Sequence, residues 1–538
     1  MVEAGTIRNK TDIAIRSSAC RAGRAVVRFS RSSLISCVLG VCLPVVLLPL
    51  IVSAQPAPDL GTDEQREAGR LLYMDKCAQC HGDTGQGDGV AAPFMRPMPR
   101  DFTAGIYKVR TTPSGQLPTD DDIARVIRDG MPYTGMPPWP QLSDDEIRNL
   151  VYYLKTFNDD FSGPYGVPDV IEIPDPPSFS ESSAERGRVV YEENQCFDCH
   201  GMAARGDGPS AVTLQEQWGN HIRPADLTKR WTFIGGNTRE DIYRTFTTGL
   251  DGSPMPSYSI TPIEDSWALV DYVYSLSQDD PDYAISATAQ YANDPVDPVQ
   301  GKAAFGEERG AYFPVVGQVI EPGRSFMPGV DGIEVKARYN ADEIAILLSW
   351  HDMSAETMGS NAPDMEVPLT EQVVRDTVTS IWSDAVAIQF PQELVPEGLP
   401  YFLFGDARQP VDLWFADLAS GEGRSYIGRG SGNLLAGETS PSVHATYEDG
   451  AWTAVFTMPR DGRFAEDTFV PIAFSVWDGF NDERGNRRGL TGWYYLYLEP
   501  SERPSPVMPM LRAAGLTLLV LLSIVGLVRF RHRASVTA

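Results

Sequence analysis

The chain has 538 residues, 42% of them hydrophobic, with ten Trp and a formal charge of −27 at neutral pH. This length exceeds what one core ordinarily serves, so about three or four units are expected, and the apolar content excludes a disordered chain. Such acidity argues against nucleic acid or an anionic membrane surface as a docking partner and favours steering of a basic soluble one.

Residues 1–54 carry seven basic side chains against Glu3 and Asp12, then the apolar run "SLISCVLGVCLPVVLLPLIVSA". A basic leader, an apolar stretch and the small residues Ser53 and Ala54 have the form of a secretory signal peptide cleaved after Ala54. The alternative is an uncleaved anchor. Removing this segment leaves a body still more acidic than the full chain.

Of seven cysteines, Cys20, Cys37 and Cys42 lie in that leader, and the others form two identical frames, "CAQCH" (Cys77, Cys80, His81) and "CFDCH" (Cys196, Cys199, His200). No cysteine is left over for a disulfide framework. A redox dithiol would give the histidine no task, and a zinc ribbon would need four ligands per site. C-x-x-C-H instead attaches a c-type haem: two thiols add to the porphyrin vinyls and the histidine meets the iron. Two covalent haems are therefore expected.

Met136 follows His81 by 55 residues, and Met255 follows His200 by the same 55, in the matching contexts "MPYTGMPPW" and "LDGSPMPSY". Met131 competes with Met136, which is preferred because its spacing agrees with the second copy. The repeat extends further. "EAGRLLYMDKCAQCHGDTGQGDG" aligns with "ERGRVVYEENQCFDCHGMAARGDG", and "PRDFT" with "PADLT". Apolar residues at helical spacing (Leu71, Leu72; Val189, Val190, Tyr191) predict a helix before each frame. Amphipathic helices from Ser143 and Glu264 close each unit, the first with a capping box between Ser143 and Glu146. "TDDDI" at 119–123 reads as a helix start whose acids match the dipole. Met95 and Met98 are expected in packing, Met202 lies too near His200 to reach the far face of its haem, and His221 is expected on a solvated loop.

Here the sequence resembles class I cytochrome c domains, over residues 63–160 and 183–278. The resemblance implies all-α units with iron held by His81 and Met136 in one and by His200 and Met255 in the other. Thioether ligation favours reduced iron, and a filled coordination sphere leaves no vacancy for a substrate. An electron carrier is expected rather than a catalyst.

Domain bounds read as 55–165 and 180–280 for the two cytochrome units, with a polar linker at 281–300. From 301 to 500 come short β-branched and aromatic runs: "IEVKARY", "EIAILLSWHD", "DAVAIQF", "YFLFG", "PVDLWFADL", "SVHATYEDGAWTAVFTM", "FVPIAFSVWDG", "GWYYLYLE". Strands without helices between them predict an all-β sandwich. Several of these phrases resemble the haem-b (gamma) subunit of ethylbenzene dehydrogenase and related molybdenum enzymes. That resemblance implies a b-type haem between a Met and a Lys, and an iron–sulfur oxidoreductase as partner. In this chain the Met position falls near Phe404 and the Lys near Arg487 or Arg488. Neither side chain offers iron a lone pair. A third haem would need replacements from His351, Met353, Met358, His444 and Met458.

Last, residues 509–530 are apolar enough for a transmembrane anchor, with Arg529, Arg531 and Arg533 marking the cytoplasmic side and 531–538 as a short tail. The expectation is a dihaem electron-transfer protein on the periplasmic side of a bacterial inner membrane, linking a periplasmic oxidoreductase, with a molybdenum enzyme as the candidate, to the respiratory chain. The alternatives are a haem enzyme acting on a small substrate and a ligand-binding sandwich with accessory haems.

Overall fold

In the first cytochrome unit, paired caps and glycines decide how the helices meet. The computed structural model describes residues 57–95, 97–277, 281–326, 328–367, 381–393, 398–502 and 507–536, so the expected signal peptide lies outside the described residues. Helix α1 (Asp63–Lys76) starts at Thr62, whose hydroxyl accepts from the Gln65 N–H while the Gln65 side chain accepts from the Thr62 N–H. A one-turn α2 (Ala78–His81) carries the first frame, followed by α3 (Asp120–Asp129) and α4 (Asp144–Lys155). The reciprocal cap between Ser143 and Glu146 is present, and Thr119 caps α3 with Asp120, Asp121 and Asp122 in its first turn. Side-chain oxygens there satisfy N–H groups that have no partner inside the helix.

The second unit repeats this order with α5 (Glu181–Glu193), α6 (Phe197–His200), α7 (Arg239–Thr248) and α8 (Ile263–Ser275). First and last helices cross in each copy, and each crossing has a glycine at its centre. A Cβ on Gly69 would stand 2.0 Å from the Asn149 carbonyl oxygen, and one on Gly187 would stand 1.9 Å from that of Ala268. Only the missing side chain lets the backbones approach. Tyr73, Ile147, Leu150 and Val151 fill the first core, and Val190, Tyr191, Trp267 and Val270 the second.

The two units are pinned to each other. Arg110, its side chain fully buried, donates to the Thr248 carbonyl at 2.7 Å and pairs with Asp251 at 2.9 Å, while Asp251 accepts from Ser114 Oγ and the Gly115 N–H.

The stretch expected as a linker contributes a strand instead. β1 (Ser286–Tyr291) lies between β14 and β4, parallel to both, burying Ala287 and Ala289. "SATAQY" does alternate, but its buried positions are alanines, too weakly apolar to stand out in a polar stretch rich in Asp and Pro. The strands that follow are β2 (Ala311–Pro314), β3 (Val316–Gly317), β4 (Gly332–Tyr339), β5 (Glu343–His351), β6 (Ala385–Pro391), β7 (Val411–Asp417) and β8 (Glu422–Gly428). After them come β9 (Leu434–Ala436), β10 (Ser442–Glu448), β11 (Ala451–Pro459), β12 (Phe469–Trp477), β13 (Gly489–Leu490) and β14 (Tyr494–Leu498). The order is β10-β11-β5-β4-β1-β14-β12-β6-β7-β8-β9. β12 pairs with β14 through Ile472 and with β6 from Ala473 onward, so one strand serves both layers. Alternate residues of the two layers, among them Ile346, Leu348, Ile388, Trp414 and Phe474, share one core. This is the expected sandwich.

"YFLFG" forms a turn rather than a strand, with Phe404 at φ 65° and its ring against Ala387, Leu413, Phe415 and Trp477 on the outer face of the second layer. Pro400 ahead of it and Gly405 behind it interrupt any ladder. Near the other end, α9 (Val507–Val536) contains one run, Val507–His532, long and apolar enough to cross a membrane. The expected span lies inside it.

Candidate functional site

Each frame is built the same way. Cys77 ends α1, its N–H on the Tyr73 carbonyl, and the turn to His81 follows at once; the Tyr73 hydroxyl donates to the Gly82 carbonyl at 2.7 Å. In the second copy Tyr191 donates to Gly201 at the same 2.7 Å. After the histidine, Gly82, Gly85 and Gly87 take left-handed φ of 78°, 76° and 73°. Folding the loop back this way would strain any residue with a Cβ.

Nδ1 of His81 faces the Arg100 carbonyl at 3.0 Å, and Nδ1 of His200 faces the Ala225 carbonyl at 2.9 Å. A carbonyl can only accept, so each ring is a Nδ1–H tautomer whose Nε2 keeps its lone pair for a metal. Burial holds both imidazoles below their ordinary pKa, which keeps them neutral. The Phe102 ring stacks on His81 at 4.6 Å between centroids and fixes its plane.

The sulfur chemistry argues the same way. All four thiols are free and partly buried, and burial pushes Cys77 and Cys196 up to about 11. A redox dithiol needs the opposite shift. Among the described residues neither frame belongs to a group of three or more metal-ligating side chains, so zinc has no set of four.

The methionine loops are superimposable in their hydrogen bonds. The Met131 N–H donates to the Met136 carbonyl at 3.0 Å, and the Leu250 N–H donates to the Met255 carbonyl at 3.1 Å. Thr134 Oγ1 accepts from the Met136 N–H, and Ser253 Oγ accepts from that of Met255. Met131 thus stands where the second copy has Leu250, which cannot ligate, and Met136 stands where it has Met255. Met95 is buried beside this loop, its Sδ 2.9 Å from where a Cβ on Gly135 would be. Met98 accepts from the Asn220 side chain, while Met202 is 67% exposed.

Two buried cations were missed in the sequence: Arg100, whose carbonyl meets His81, and Lys108, close to Arg100. Lys108 is 6% exposed, makes no ion pair among the described residues, and burial with the like charge of Arg100 pushes it down to about 8. Arg100 Nη1 is buried with no hydrogen-bond partner. Buried cations need anions; Glu216 faces both, and the propionates of a porphyrin would supply further negative charge. The residues present fit a covalent haem. Their signal was the basic pair in "RDFTAGIYK", invisible until the loop brings it to the histidine.

The residues weighed for a third haem do not gather. His351 Nε2 lies 3.5 Å from Asp207, Met358 is 67% exposed, Met458 packs on the main core, and His444 pairs with Val455 across β10 and β11. Met353 is buried in the turn after β5. His221 is not merely solvated: its Nε2 meets the Ala211 carbonyl at 3.0 Å and its ring packs edge-on against Phe480 at 4.4 Å.

Residues 64–154 match the family model for cytochrome c oxidase, cbb3-type, subunit III, and residues 184–277 match that for cytochrome c. The chain carries two cytochrome c domains. Such domains imply covalent haem c on the Cys77/Cys80 and Cys196/Cys199 pairs. A protein of Haloferax mediterranei assigned as the heme subunit of a respiratory nitrate reductase is 26% identical over 35% of this chain and 64% of its own length. The cbb3-type cytochrome c oxidase subunit CcoP of Azospirillum brasilense is 28% identical over 36% of this chain and 55% of its own. The matches thus span between about half and two thirds of these relatives. A chain of the Kuenenia stuttgartiensis reducing HAO-like protein complex is 41% identical over 41% of this chain and 100% of its own, at a TM-score of 0.39.

Proposed function

We propose that this protein is a dihaem electron carrier, tethered by α9 on the periplasmic side of a bacterial inner membrane, with His81 and Met136 on one iron and His200 and Met255 on the other. The observation that carries the reading is the duplicated site: two histidines turned by backbone carbonyls so that Nε2 is available, each with a methionine loop of the same hydrogen-bond pattern. Haem supplies the one-electron couple. The chain would hold it through His81 and Met136 in one domain and His200 and Met255 in the other, with Arg100 and Lys108 as buried cations for the propionate charge. Preformed ligand geometry keeps rearrangement on oxidation small, which suits transfer rather than bond chemistry.

The sandwich is the docking module in this reading, and its partner a periplasmic oxidoreductase of the molybdenum/iron–sulfur class delivering electrons to, or drawing them from, the respiratory chain. The relatives named for nitrate reductase and for an oxidase support a place in such a complex. Consistent with the ethylbenzene dehydrogenase likeness, Phe404, near that family's Met position, touches Arg488, one of the two arginines near its Lys position. Pyridine haemochrome assay and intact mass on purified protein test the core of the proposal: two covalent haems per chain are expected, with no carbon monoxide binding to the ferrous form. A single haem, or a ferrous iron open to carbon monoxide in both domains, overturns it.

A further inference from the structure

Three strand ends of the sandwich converge beside the second cytochrome domain. Asp352 follows β5, Asp384 precedes β6, and Asp478 follows β12; Glu356 and Glu483 join them from the adjoining turns. Asp352, Asp384, Asp478 and Glu483 are each no more than 1% exposed. Carboxylate oxygens of Asp352, Glu356 and Asp478 lie within 4.8 Å of one another.

Part of this knot is satisfied by donors. Asp384 accepts from Trp452 Nε1 and from the N–H groups of Glu356 and Gly479, at 3.0, 2.8 and 2.9 Å. Glu483 accepts from the N–H groups of Gly329 and Asp478, and Asp478 accepts from the side chain of Asn481. Asp352 Oδ2 and Glu356 Oε2 are different: both are buried with no hydrogen-bond partner. None of the five carboxylates takes part in an ion pair among the described residues. Arg223 of the second cytochrome domain donates its Nη1 to the Gly329 carbonyl. A buried, unpartnered carboxylate oxygen among other carboxylates is a costly arrangement unless a cation completes it.

We propose that Asp352, Glu356 and Asp478 hold one calcium ion at the seam between the sandwich and the second cytochrome domain. The donor set is all oxygen, without His or Cys, which excludes the softer metals. Magnesium keeps several waters and is seldom held by a dry protein cage, whereas calcium accepts six to eight oxygens in loose geometry. A neutral donor stands in the same region: Asn361, 1% exposed, has its amide fixed by the Ser383 and Glu483 carbonyls and its Oδ1 unpartnered.

Location gives the ion a task. His351, next to Asp352, meets Asp207 in the loop after the second frame at 3.5 Å, and Phe480, two residues past Asp478, packs on His221. Neutralising the knot holds both contacts in place.

The test is elemental analysis of the full-length, haem-loaded protein purified in calcium-free buffer. About one calcium for every two haem irons is expected. EGTA should lower the thermal midpoint, and calcium but not equimolar magnesium should restore it. Asp352→Asn should abolish the bound calcium with both haems retained. Should that variant fail to fold, the half-buried Glu356→Gln, with the wild-type measurement, decides instead. Wild-type protein without stoichiometric calcium, a midpoint indifferent to EGTA, or zinc or magnesium in its place overturns the proposal.

Discussion

The guanidinium of Arg488 lies 3.8 Å from the centre of the Phe404 ring, and both side chains are fully buried. Trp477 flanks the cation at 5.8 Å, and Arg488 Nη1 donates to the Gly485 carbonyl and to Asn486 Oδ1, each at 3.0 Å. The cation is held on one side by aromatic faces and on the other by oxygens. The space a porphyrin would need between these positions is taken by the pair itself. Purified protein is therefore expected to yield haem c alone, with acid–acetone extraction leaving the organic phase colourless. Phe404→Ala should cost the sandwich about 3–5 kcal/mol in denaturant unfolding, with the haem count unchanged.

The equivalence of Met136 with Met255 gives a spectroscopic prediction. Thioether ligation raises the potential relative to a second histidine. Met136→His should lower one of the two midpoint potentials and leave the other in place, and Met255→His should do the reverse. Met131→Leu, which makes the first loop match the second, should move neither. A shift of the first midpoint with Met131→Leu would assign the ligand to Met131 instead.

Much of this was legible in sequence because haem attachment needs fixed residues at fixed spacing, and the duplicated frame with its equal 55-residue interval exposed the repeat. The caps at Ser143 and Thr119 were readable for the same local reason. Other features depended on distant partners. Gly69 and Gly187 stood in the aligned phrases without a role, since their purpose lies in the helix that crosses them. β1 escaped because the buried face of "SATAQY" is two alanines, a weak apolar signal within a polar stretch, and "YFLFG" misled because four apolar residues in a row can pack a turn as readily as a strand. The carboxylates at 352, 384 and 478 lie just off the ends of separate strands, and only sheet topology unites them.

Those two glycines reverse the usual effect of alanine in a helix. Gly→Ala within a helix ordinarily stabilises by about 1 kcal/mol, but here the new methyl would stand 2.0 Å from the Asn149 oxygen or 1.9 Å from that of Ala268. Backbone oxygens cannot step aside, so the helices must part. Gly69→Ala should destabilise the first domain by about 1–3 kcal/mol or more, and Gly187→Ala the second. Thermal unfolding followed at the haem absorbance should show one domain shifted in each variant.

Acid should loosen the junction of the second domain with the sandwich at one identifiable contact. Lys229 Nζ pairs with Asp331 at 2.7 Å. Burial opposes ionisation of Asp331, but the Lys229 ammonium outweighs it and holds the carboxyl below its ordinary range; Arg223 and His351 add to this, and Asp226 and Tyr312 face the lysine. A depressed carboxylate contributes stability fully above the unfolded value near 3.9 and loses it as pH falls through the folded value. Asp331→Asn should therefore lower the thermal midpoint at neutral pH, and the difference from wild type should close below about pH 4. A gap independent of pH would mean that packing, not charge, holds this contact.

Electron exchange between the haems should depend on Arg110. Its guanidinium bridges the domains by donating to Thr248 and Asp251, while Nη1 holds the Tyr107 carbonyl at 2.9 Å. Asp251 lies four residues before Met255, so the arginine of one domain steadies the methionine loop of the other. Asp251 is partly exposed and keeps Ser114 and Gly115, so losing the arginine should cost less than the about 3–5 kcal/mol of a fully buried pair. Arg110→Met should slow equilibration between the haems after flash reduction and shift the midpoint of the second haem alone. Arg110→Lys should recover little, since a point charge cannot serve Tyr107, Thr248 and Asp251 together as the planar fork does. Unchanged equilibration in Arg110→Met would show that the domains keep their spacing through other contacts, and that the duplicated sites exchange electrons without this bridge.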